Sequence, residues 1–233
     1  MTDIHVQDGL IFPGQTPVNG ISFHATTVPP SSSGCLYIVS TPIGNPEDIS
    51  LRAIRVLGRV AIIAAENAGV TGKLLAHHGI TTAVVSYRPR AHSDVTSRLL
   101  SELAAGNDIA FVTDAGTPVI ADPGQSLIRS AIAQGARVIP VPGASALLSA
   151  LVASGLVPGR FAFDGFPPRC RADRQEFFAQ LTSEKRPVLL YESRRYLRST
   201  LQALLAALGP CRRMTLARDL TRDTEAVLHG TIQ

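Results

Sequence analysis

The sequence has few of the residues that build metal sites and disulfide frameworks. Its 233 residues include three cysteines, Cys35, Cys170 and Cys211, which are far apart and odd in number. That spacing supports neither a disulfide framework nor a zinc site, and reduced thiols are the simpler interpretation. Among six histidines, the adjacent pair His77 and His78 would point in different directions from a helix. We therefore predict no metal site.

The sequence also lacks an apolar segment long enough to cross a bilayer. The longest candidate, residues 144–157, is interrupted by three serines and a glycine, which is typical of a core helix. The first thirty residues have neither a basic start nor an apolar stretch, which disfavours a secretion signal. With 45% apolar and 17% charged residues, we expect a soluble, cytoplasmic protein with no membrane partner.

Three common catalytic motifs are absent as well. No G-x-G-x-x-G fingerprint follows the first predicted strand, and no G-x-x-x-x-G-K-[ST] phosphate loop occurs in the chain. A G-x-S-x-G elbow is also missing. These absences argue against a dinucleotide reductase, a nucleoside triphosphatase and a hydrolase that uses such an elbow.

What the sequence does contain is an alternation of short apolar runs and helical patterns. Residues 1–33 are rich in Pro, Gly, Ser and Thr, which predicts a flexible extension. Helical stretches carry start and stop signals, such as Ser50 before a helix that stops at Gly58, and Asp122-Pro123 before another. Runs typical of buried strands lie at 35–39, 60–65, 83–87, 109–113 and 138–141. Five strands and four helices predict an α/β domain over residues 34–144 with an open, mostly parallel sheet.

A second set of elements follows a predicted helix at residues 145–153. Helices are predicted near 173–181 and at 197–208. Strands are predicted at 160–163, 188–191 and 214–217. We therefore predict a second α/β domain over residues 145–233, with a mixed sheet.

Charge is distributed unevenly between these two parts. From Pro158 onward there are 13 Lys or Arg against 8 Asp or Glu, a net charge of +5. The first 157 residues carry 9 against 10, a net charge of −1, and the whole chain is +4. A basic second half indicates a polyanionic partner, although a solvated, arginine-rich surface would give the same count.

Loops rich in glycine and proline follow three of the predicted strands. Ligands bind open α/β sheets beyond the carboxyl ends of the strands, and glycine lets the backbone approach a ligand closely. The loops therefore predict a cleft floor, although tight strand-to-helix connections would have the same composition. They are STPIGNP at 40–46, DAGTP at 114–118 with ADPG at 121–124, and PGAS at 142–145.

Six stretches of the chain, in this order, resemble a known protein family. The chain resembles the tetrapyrrole methylase superfamily and, within it, the small-subunit ribosomal RNA methyltransferase I family, over roughly residues 35–231. The stretches are LYIVSTPIGN at 36–45, TDAGTPVIADPG at 113–124, VPGASALLSALVASGL at 141–156, FDGFPPR at 163–169, YES at 191–193 and ARDLT at 217–221.

The resemblance implies two αβα domains that hold S-adenosylmethionine in the cleft between them, usually within a homodimer. It also implies methylation of the 2′-oxygen of a cytidine in 16S ribosomal RNA, so the small ribosomal subunit is the expected partner. The positions that match the family's cofactor contacts are Pro42, Ala115, Gly116, Thr117, Ser145, Ala146, Tyr191 and Ala217.

A ribose 2′-hydroxyl is a poor nucleophile, so a base or a charged hydrogen-bond partner should help to remove its proton. Structural roles compete for these side chains: a cap or surface acid for Glu66, an Asx turn for Asp114, and an ion pair with a neighbouring acid for Arg218. The candidates near the predicted cleft are Glu66, Asp114, Glu192 and Arg218, with Lys73 available for charge control.

Arginines of the basic second half are the predicted RNA contacts, because guanidinium groups match phosphate geometry. Aromatic residues are few there, so base stacking should be limited. The predicted contacts are Arg169, Arg171, Arg174, Arg194, Arg195 and Arg198.

The chain departs from the family pattern in three places. Where the family has Glu-Asp-Thr-Arg, this chain has Glu66-Asn67-Ala68-Gly69, so an acid and an arginine are missing together. The family's Tyr-Glu-Ser-Pro-His-Arg is changed after Ser193 but remains basic. Family members continue beyond the position of Gln233, so we expect an incomplete second domain with an unpaired sheet edge.

Two alternatives to an active RNA methyltransferase stay open at this point. The altered tract at 66–69 favours a catalytically impaired homologue that binds cofactor or RNA. A methyltransferase that acts on a tetrapyrrole would share the fold, but the arginine-rich second half disfavours it.

Overall fold

The computed structural model describes residues 33–88, 92–156 and 159–233. The predicted N-terminal extension lies outside the described residues except for Ser33. Within these ranges no helix is long and apolar enough to cross a membrane.

One five-stranded sheet organises the first part of the chain. All its neighbouring strands are parallel, in the order β3-β2-β4-β1-β5. The predicted open, parallel sheet is confirmed. Every residue of β2 and β4 is buried, as expected for central strands covered on both faces. The strands are β1 (Cys35–Val39), β2 (Ile62–Ala65), β3 (Val84–Ser86), β4 (Ile109–Val112) and β5 (Arg137–Val141).

Four helices and a short 3-10 helix (Pro46–Asp48) connect these strands. As predicted, Ser50 caps the first helix, accepting a hydrogen bond from the Ala53 backbone at 3.1 Å, and Gly58 ends it. Each face of the sheet packs its own apolar core, one around Phe111 and the other around Ile63. The helices are α1 (Leu51–Leu57), α2 (Ala68–His77), α3 (His92–Ala104) and α4 (Gln125–Ala133).

The predicted start of α4 at Asp122-Pro123 is wrong. The helix begins at Gln125, and Gly124 is its N-cap. Gly124 has a φ of 121°, and a Cβ at this position would lie 2.3 Å from Cε1 of Phe111. The close approach of backbone to the core requires glycine, and it delays the helix by two residues. Asp122 is therefore a loop residue that lines a cavity.

The C-terminal part contains two small sheets rather than one. β6 pairs with β7 in parallel, and β8 pairs with β9 in an antiparallel sheet of its own. Both strand directions of the predicted mixed sheet are thus present, the α/β class is confirmed, and the domain boundary near residue 144 stays a prediction. The elements are α5 (Ala146–Ser154), β6 (Ala162–Phe163), α6 (Arg171–Gln180), β7 (Val188–Leu189), α7 (Leu197–Leu208), β8 (Arg213–Arg218) and β9 (Ala226–Thr231).

Candidate active site

The three loops rich in glycine and proline meet at the carboxyl edge of the parallel sheet. Thr41 and Gly116 exchange backbone hydrogen bonds of 2.9 and 3.0 Å. The hydroxyls of Ser40 and Thr117 lie 3.0 Å apart, and the Thr117 hydroxyl donates to the Ala144 carbonyl at 3.2 Å. These bonds fix the loops after β1, β4 and β5 against one another, at the edge where ligands bind in open α/β folds.

Two adjoining cavities open at this edge. The first, the Tyr191 cavity, has a volume of about 210 Å³. Among the predicted cofactor residues, Pro42 lines the neighbouring cavity, and Ala217, on β8, lines neither cavity. Together the two volumes reach the lower part of the range of roughly 300–1,000 Å³ that is usual for small-molecule sites. Six of the eight predicted cofactor residues line the Tyr191 cavity: Ala115, Gly116, Thr117, Ser145, Ala146 and Tyr191.

The second cavity, the Arg222 cavity, has a volume of about 180 Å³. Its walls come from the loop after β1, from α2 and from the loop after β4, with Arg222 of the β8–β9 turn on one side and Asp114 on another. It shares Ile43 and Ala115 with the Tyr191 cavity, so the two are neighbours within one cleft.

Backbone approaches the Tyr191 cavity closely at Gly116. Its φ of 79° lies in the left-handed region, and a Cβ there would come within 3.3 Å of Cγ2 of Ile43. Across from it, Ser145 caps α5 by accepting a hydrogen bond from the Leu148 backbone at 3.4 Å. The first turn of α5 therefore begins at the cavity wall.

An aromatic cluster forms the opposite wall. The Tyr191 ring contacts Phe163 and Phe166 with centroid separations of 4.9 and 5.6 Å. Its backbone N–H donates to the Gly165 carbonyl at 2.8 Å, which places the end of β7 beside the loop after β6. Burial raises the pKa of Tyr191, so its hydroxyl stays neutral. Phe166 remains 47% exposed at the cavity rim, where it is free to contact a ligand.

Three carboxyl groups interact with one another near the two cavities: Asp114 lines the Arg222 cavity, Asp122 lines the Tyr191 cavity, and Glu66 contacts Asp114. The Glu66 carboxylate accepts a hydrogen bond from the Asp114 backbone at 3.3 Å, and the Asp114 carboxyl accepts one from the Asn67 backbone. Burial raises the pKa of Glu66, Asp114 and Asp122 alike. Repulsion from Asp114 and Asp122 raises the pKa of Glu66 further, and Asp114 does the same to Asp122. A site built in this way favours a bound cation and contains carboxylates of increased basicity.

The third predicted catalytic acid, Glu192, has a different environment. Glu192 accepts hydrogen bonds from Nη2 of Arg169 at 3.0 Å and from the Thr200 hydroxyl at 2.6 Å. Burial would raise the pKa of Glu192, but these hydrogen bonds outweigh it and hold the pKa below its usual value. The Thr200 hydroxyl in turn accepts from Arg174 at 2.6 Å. Glu192 thus links α6, α7 and the end of β7 as a partnered carboxylate.

The remaining predicted residues are spread over the surface of the C-terminal part. Arg218 is exposed and pairs with Asp219 at 3.5 Å, an ion pair with a neighbouring acid of the kind that competes with a catalytic role. Arg174 stacks on Phe178, with 4.9 Å from its guanidinium carbon to the ring centroid, besides its bond to Thr200. Lys73 is exposed on α2, and Arg198 is exposed on α7.

The Tyr196 ring contacts predicted RNA-binding arginines from two parts of the chain, one before α6 and one before α7. Arg169 lies over its ring at 4.1 Å and Arg195 at 5.4 Å from the centroid. Arg171 and Arg194 are exposed, and neither forms an ion pair with any residue in the described ranges. Five of the six predicted arginines therefore contribute charge to an accessible surface, whereas Arg174 is committed to contacts within the protein.

Two site residues escaped the sequence analysis. Asp122 was interpreted as a helix cap, because Asp-Pro commonly precedes a helix. Arg222 follows directly after the ARDLT stretch but carried no motif signal of its own. The only available clue to Arg222 was its position beside that stretch.

Comparison with known proteins first identifies the class of fold. Residues 35–233 match the family described as tetrapyrrole (corrin/porphyrin) methylases. Cobalt precorrin-4 methyltransferase, a cobalamin biosynthetic enzyme, aligns with a TM-score of 0.66 at 17% identity, over 84% of this chain and 85% of that one. Uroporphyrin-III-C-methyltransferase from Thermus thermophilus gives 0.60 at 22% identity, over 85% and 86%. At these identities the structures establish the fold alone, which is that of the tetrapyrrole methylases.

Relatives of higher identity narrow the class to one family. Ribosomal RNA small subunit methyltransferase I of Synechocystis sp. is 46% identical over 200 residues, which cover 86% of this chain and 72% of that protein. The protein of the same name from Escherichia coli O157:H7 is 42% identical over 200 residues, 86% and 70% of the two chains. The chain therefore belongs to the ribosomal RNA small subunit methyltransferase I family, which confirms the resemblance carried by the six sequence stretches.

Proposed function

We propose that this protein transfers the methyl group of S-adenosylmethionine to the ribose 2′-oxygen of a cytidine in 16S ribosomal RNA. The observation that carries the proposal is the pair of cavities that share Ile43 and Ala115 at the carboxyl edge of the parallel sheet. Donor and acceptor held in adjoining cavities meet with little loss of freedom at the moment of reaction. The names of the relatives support RNA of the small ribosomal subunit as the acceptor.

The residues of the Tyr191 cavity fit this cofactor. Tyr191 and Phe166 offer aromatic surface to an adenine ring, and the hydroxyl-bearing Thr117 lies at the wall where Gly116 lets backbone come close. The carboxyl group of Asp122, which lines the same cavity, complements the positive charges of the ligand. When bound, S-adenosylmethionine supplies an electrophilic methyl carbon, because its sulfonium charge makes the thioether a good leaving group.

Asp114 is the residue that we assign to receive the proton of the acceptor hydroxyl. It lines the Arg222 cavity, and burial raises its pKa, which makes its carboxylate a stronger base. Glu66 and Asn67 hold it from both sides through the two loop hydrogen bonds. The paired Glu192 and the exposed Arg218 are less suited to this step. Ile43 and Phe166 help to exclude water from the cleft.

The RNA surface of the proposal surrounds Tyr196. Arg169 and Arg195 lie over that ring, and Arg171 and Arg194 are exposed at the starts of α6 and α7. Their positive charges would attract a phosphate backbone in a salt-dependent manner. We also propose, as the family resemblance implies, that two copies of the chain assemble into a homodimer.

The cofactor assignment is tested by filling the Tyr191 cavity. Ala146 is the first residue of α5 and lines that cavity, so Ala146→Leu adds volume where the cofactor would lie without weakening the helix. Ala153→Leu makes the same change at an exposed position of the same helix. Calorimetry should show affinity for S-adenosylmethionine that is weaker by about tenfold or more in Ala146→Leu only. Equal affinities in the two variants, or no binding by the original chain at millimolar cofactor, would reject the assignment.

The reaction itself is tested on small ribosomal subunits from cells that lack this gene. The protein and tritiated cofactor should label a single cytidine, and mapping of ribose methylation should place the label on its 2′-oxygen. A label on a base, or on no RNA, would contradict the proposal.

A second candidate function is that of a catalytically impaired homologue that binds cofactor and RNA. The observation that favours it is Asn67 and Gly69, which stand where the family has an acid and an arginine. It predicts normal binding of S-adenosylmethionine and RNA without transfer. Methylation of a tetrapyrrole receives less support, because the proteins named for that chemistry share the fold at only 17–22% identity.

A further inference from the structure

We propose that Arg222 binds a phosphate of the RNA strand beside the acceptor ribose, so that the Arg222 cavity is the subsite for the acceptor nucleotide. This inference rests on the proposed function, since it assigns the Tyr191 cavity to the cofactor and the adjoining cavity to the RNA. Neither the six family-like stretches nor the predicted arginine cluster includes Arg222.

Arg222 is held at the cavity by the turn that carries it. The β8–β9 turn that carries it is attached to the loop after β1, because the Asn45 backbone donates to the Thr221 hydroxyl at 2.9 Å. A Cβ on Gly44 would lie 2.6 Å from Cγ of Arg222, so the arginine stem packs directly against the backbone of that loop. The side chain is therefore held at the cavity by packing near its base.

The backbone of this turn has unusual dihedral angles and its own hydrogen bonds. Asp219 and Thr221 have φ values of 50° and 65°, in the left-handed region that residues other than glycine adopt less often. The backbone N–H of Arg222 donates to the Asp219 carbonyl at 3.0 Å, and its carbonyl accepts from Glu225 at 2.9 Å. Strain of this kind persists where surrounding contacts over-determine the backbone, and it is concentrated at functional sites.

The charge of Arg222 differs from that of several other arginines in having no carboxylate partner in the described ranges. Arg169, Arg186 and Arg218 each pair with a carboxylate. The guanidinium of Arg222 forms no hydrogen bond or ion pair with any residue in the described parts of the chain, although it lines a cavity that also contains Asp114. It is therefore available to a ligand, and five N–H donors in a planar fork suit a phosphate.

Arg222 also balances the negative charge of the cleft. Glu66, Asp114 and Asp122 would repel a phosphate backbone that approached the cofactor cavity. A nucleotide in the Arg222 cavity presents a phosphate anion and a hydroxyl that must lose a proton. Arg222 would bind the phosphate and Asp114 would accept the proton of the hydroxyl, so the cavity complements both groups of the acceptor nucleotide. The positive charge of Arg222 offsets the repulsion between the RNA backbone and the carboxylates where the two come closest.

The test removes the charge of Arg222 and compares a matched arginine. Arg222→Met keeps the apolar stem that packs on Gly44, and Arg222→Lys keeps the charge without the planar fork. Arg213→Met is the control, since Arg213 is exposed at the far end of the same hairpin and lines neither cavity. Affinity for purified small ribosomal subunits is measured at several salt concentrations with S-adenosylhomocysteine bound, and affinity for S-adenosylhomocysteine is measured separately.

Arg222→Met should weaken RNA binding about tenfold and lower the slope of log affinity against log salt by about 1. Arg222→Lys should fall between it and the original chain, and affinity for S-adenosylhomocysteine should be unchanged. An RNA affinity and salt slope equal to those of Arg213→Met would overturn the inference while leaving the proposed function intact. Weaker binding of S-adenosylhomocysteine by Arg222→Met would instead assign the guanidinium to the cofactor carboxylate. Failure of the original chain to bind RNA would reject the proposed function and this inference together.

Discussion

Three carboxyl groups make the stability of this protein depend on pH. Glu66, Asp114 and Asp122 all have a raised pKa in the folded state, chiefly because of burial. The folded protein therefore holds their protons more tightly than the unfolded chain does. Stability is highest at low pH for these groups, falls as pH rises from the ordinary carboxyl pKa through the raised folded pKa, and stays reduced above it.

Asp122→Asn should stabilise the protein at neutral pH. The amide keeps the shape of the side chain but removes both the buried charge and its repulsion of Glu66. We expect a gain in the free energy of unfolding of about 0.5–1 kcal/mol at pH 7. The gain should disappear below pH 3.8, the usual pKa of an aspartate, where the original carboxyl is protonated in both states. Urea denaturation across this range, with the exposed Asp48→Asn as control, measures it. A loss of stability at pH 7 would contradict the argument.

At the scale of elements, the altered tract after β2 forms the start of α2. The Asn67 side chain caps the helix by accepting from the Gly69 backbone at 3.0 Å, so the missing charges have not removed the helix N-terminus. A Cβ on Gly69 would meet only Oδ1 of Asn67, at 3.4 Å, so a longer side chain fits there. The missing acid and arginine therefore change the charge near Asp114, while the start of α2 remains capped.

Restoring the family residues with Asn67→Asp, Ala68→Thr and Gly69→Arg should raise methyl transfer. An aligned charge partner in a dry cleft contributes ~2–4 kcal/mol to the transition state, or about two to three orders of magnitude in rate. Cofactor affinity should change little, and loss of a helical glycine should add roughly 0.5–1 kcal/mol of stability. Tritiated-methyl transfer to small ribosomal subunits measures the rate. Gly72→Arg, in the same helix, controls for added charge and lost glycine. Equal rates in the restored and control proteins would show that the tract is not the determinant.

The sequence predicted those elements whose signals are local. β1, β2 and β4 lie within the sheet, so their apolar runs were recognisable, and α7 has the predicted bounds. β9 was missed because Leu228 and His229 are both exposed, which breaks the alternation of a half-buried strand.

The remaining differences come from contacts between distant residues. The start of α4 is set by the approach of Gly124 to Phe111, a constraint that no residue near Asp122 records. Arg222 lies at the cleft because Thr221, in the same turn, accepts a hydrogen bond from the backbone of Asn45, 176 residues earlier in the chain. Such positions depend on the assembled sheet and could not be inferred from local pattern.

At the scale of the whole molecule, the cleft depends on both parts of the chain. The sheet edge supplies the carboxyl groups and the glycine at 116, whereas Tyr191, Phe166 and Arg222 come from the C-terminal part. The net charges of −1 before Pro158 and +5 from it onward follow the same division. Carboxylates that prefer a cation therefore face a basic part that prefers a polyanion, which suits a reaction between a cationic donor and RNA.

The proposed homodimer can be tested through α5. Leu148 and Val152 are four residues apart on one helical face, and they are 54% and 80% exposed. Paired apolar side chains in water are costly, and burial against a second copy would remove that cost. The double variant Leu148→Glu/Val152→Glu should therefore sediment as a monomer at micromolar concentration, while the original chain sediments as a dimer. Leu51→Glu, an isolated and equally exposed position on α1, should remain a dimer. If the original chain is a monomer, the dimer is rejected; if all three proteins are dimers, the interface lies on a face other than this side of α5.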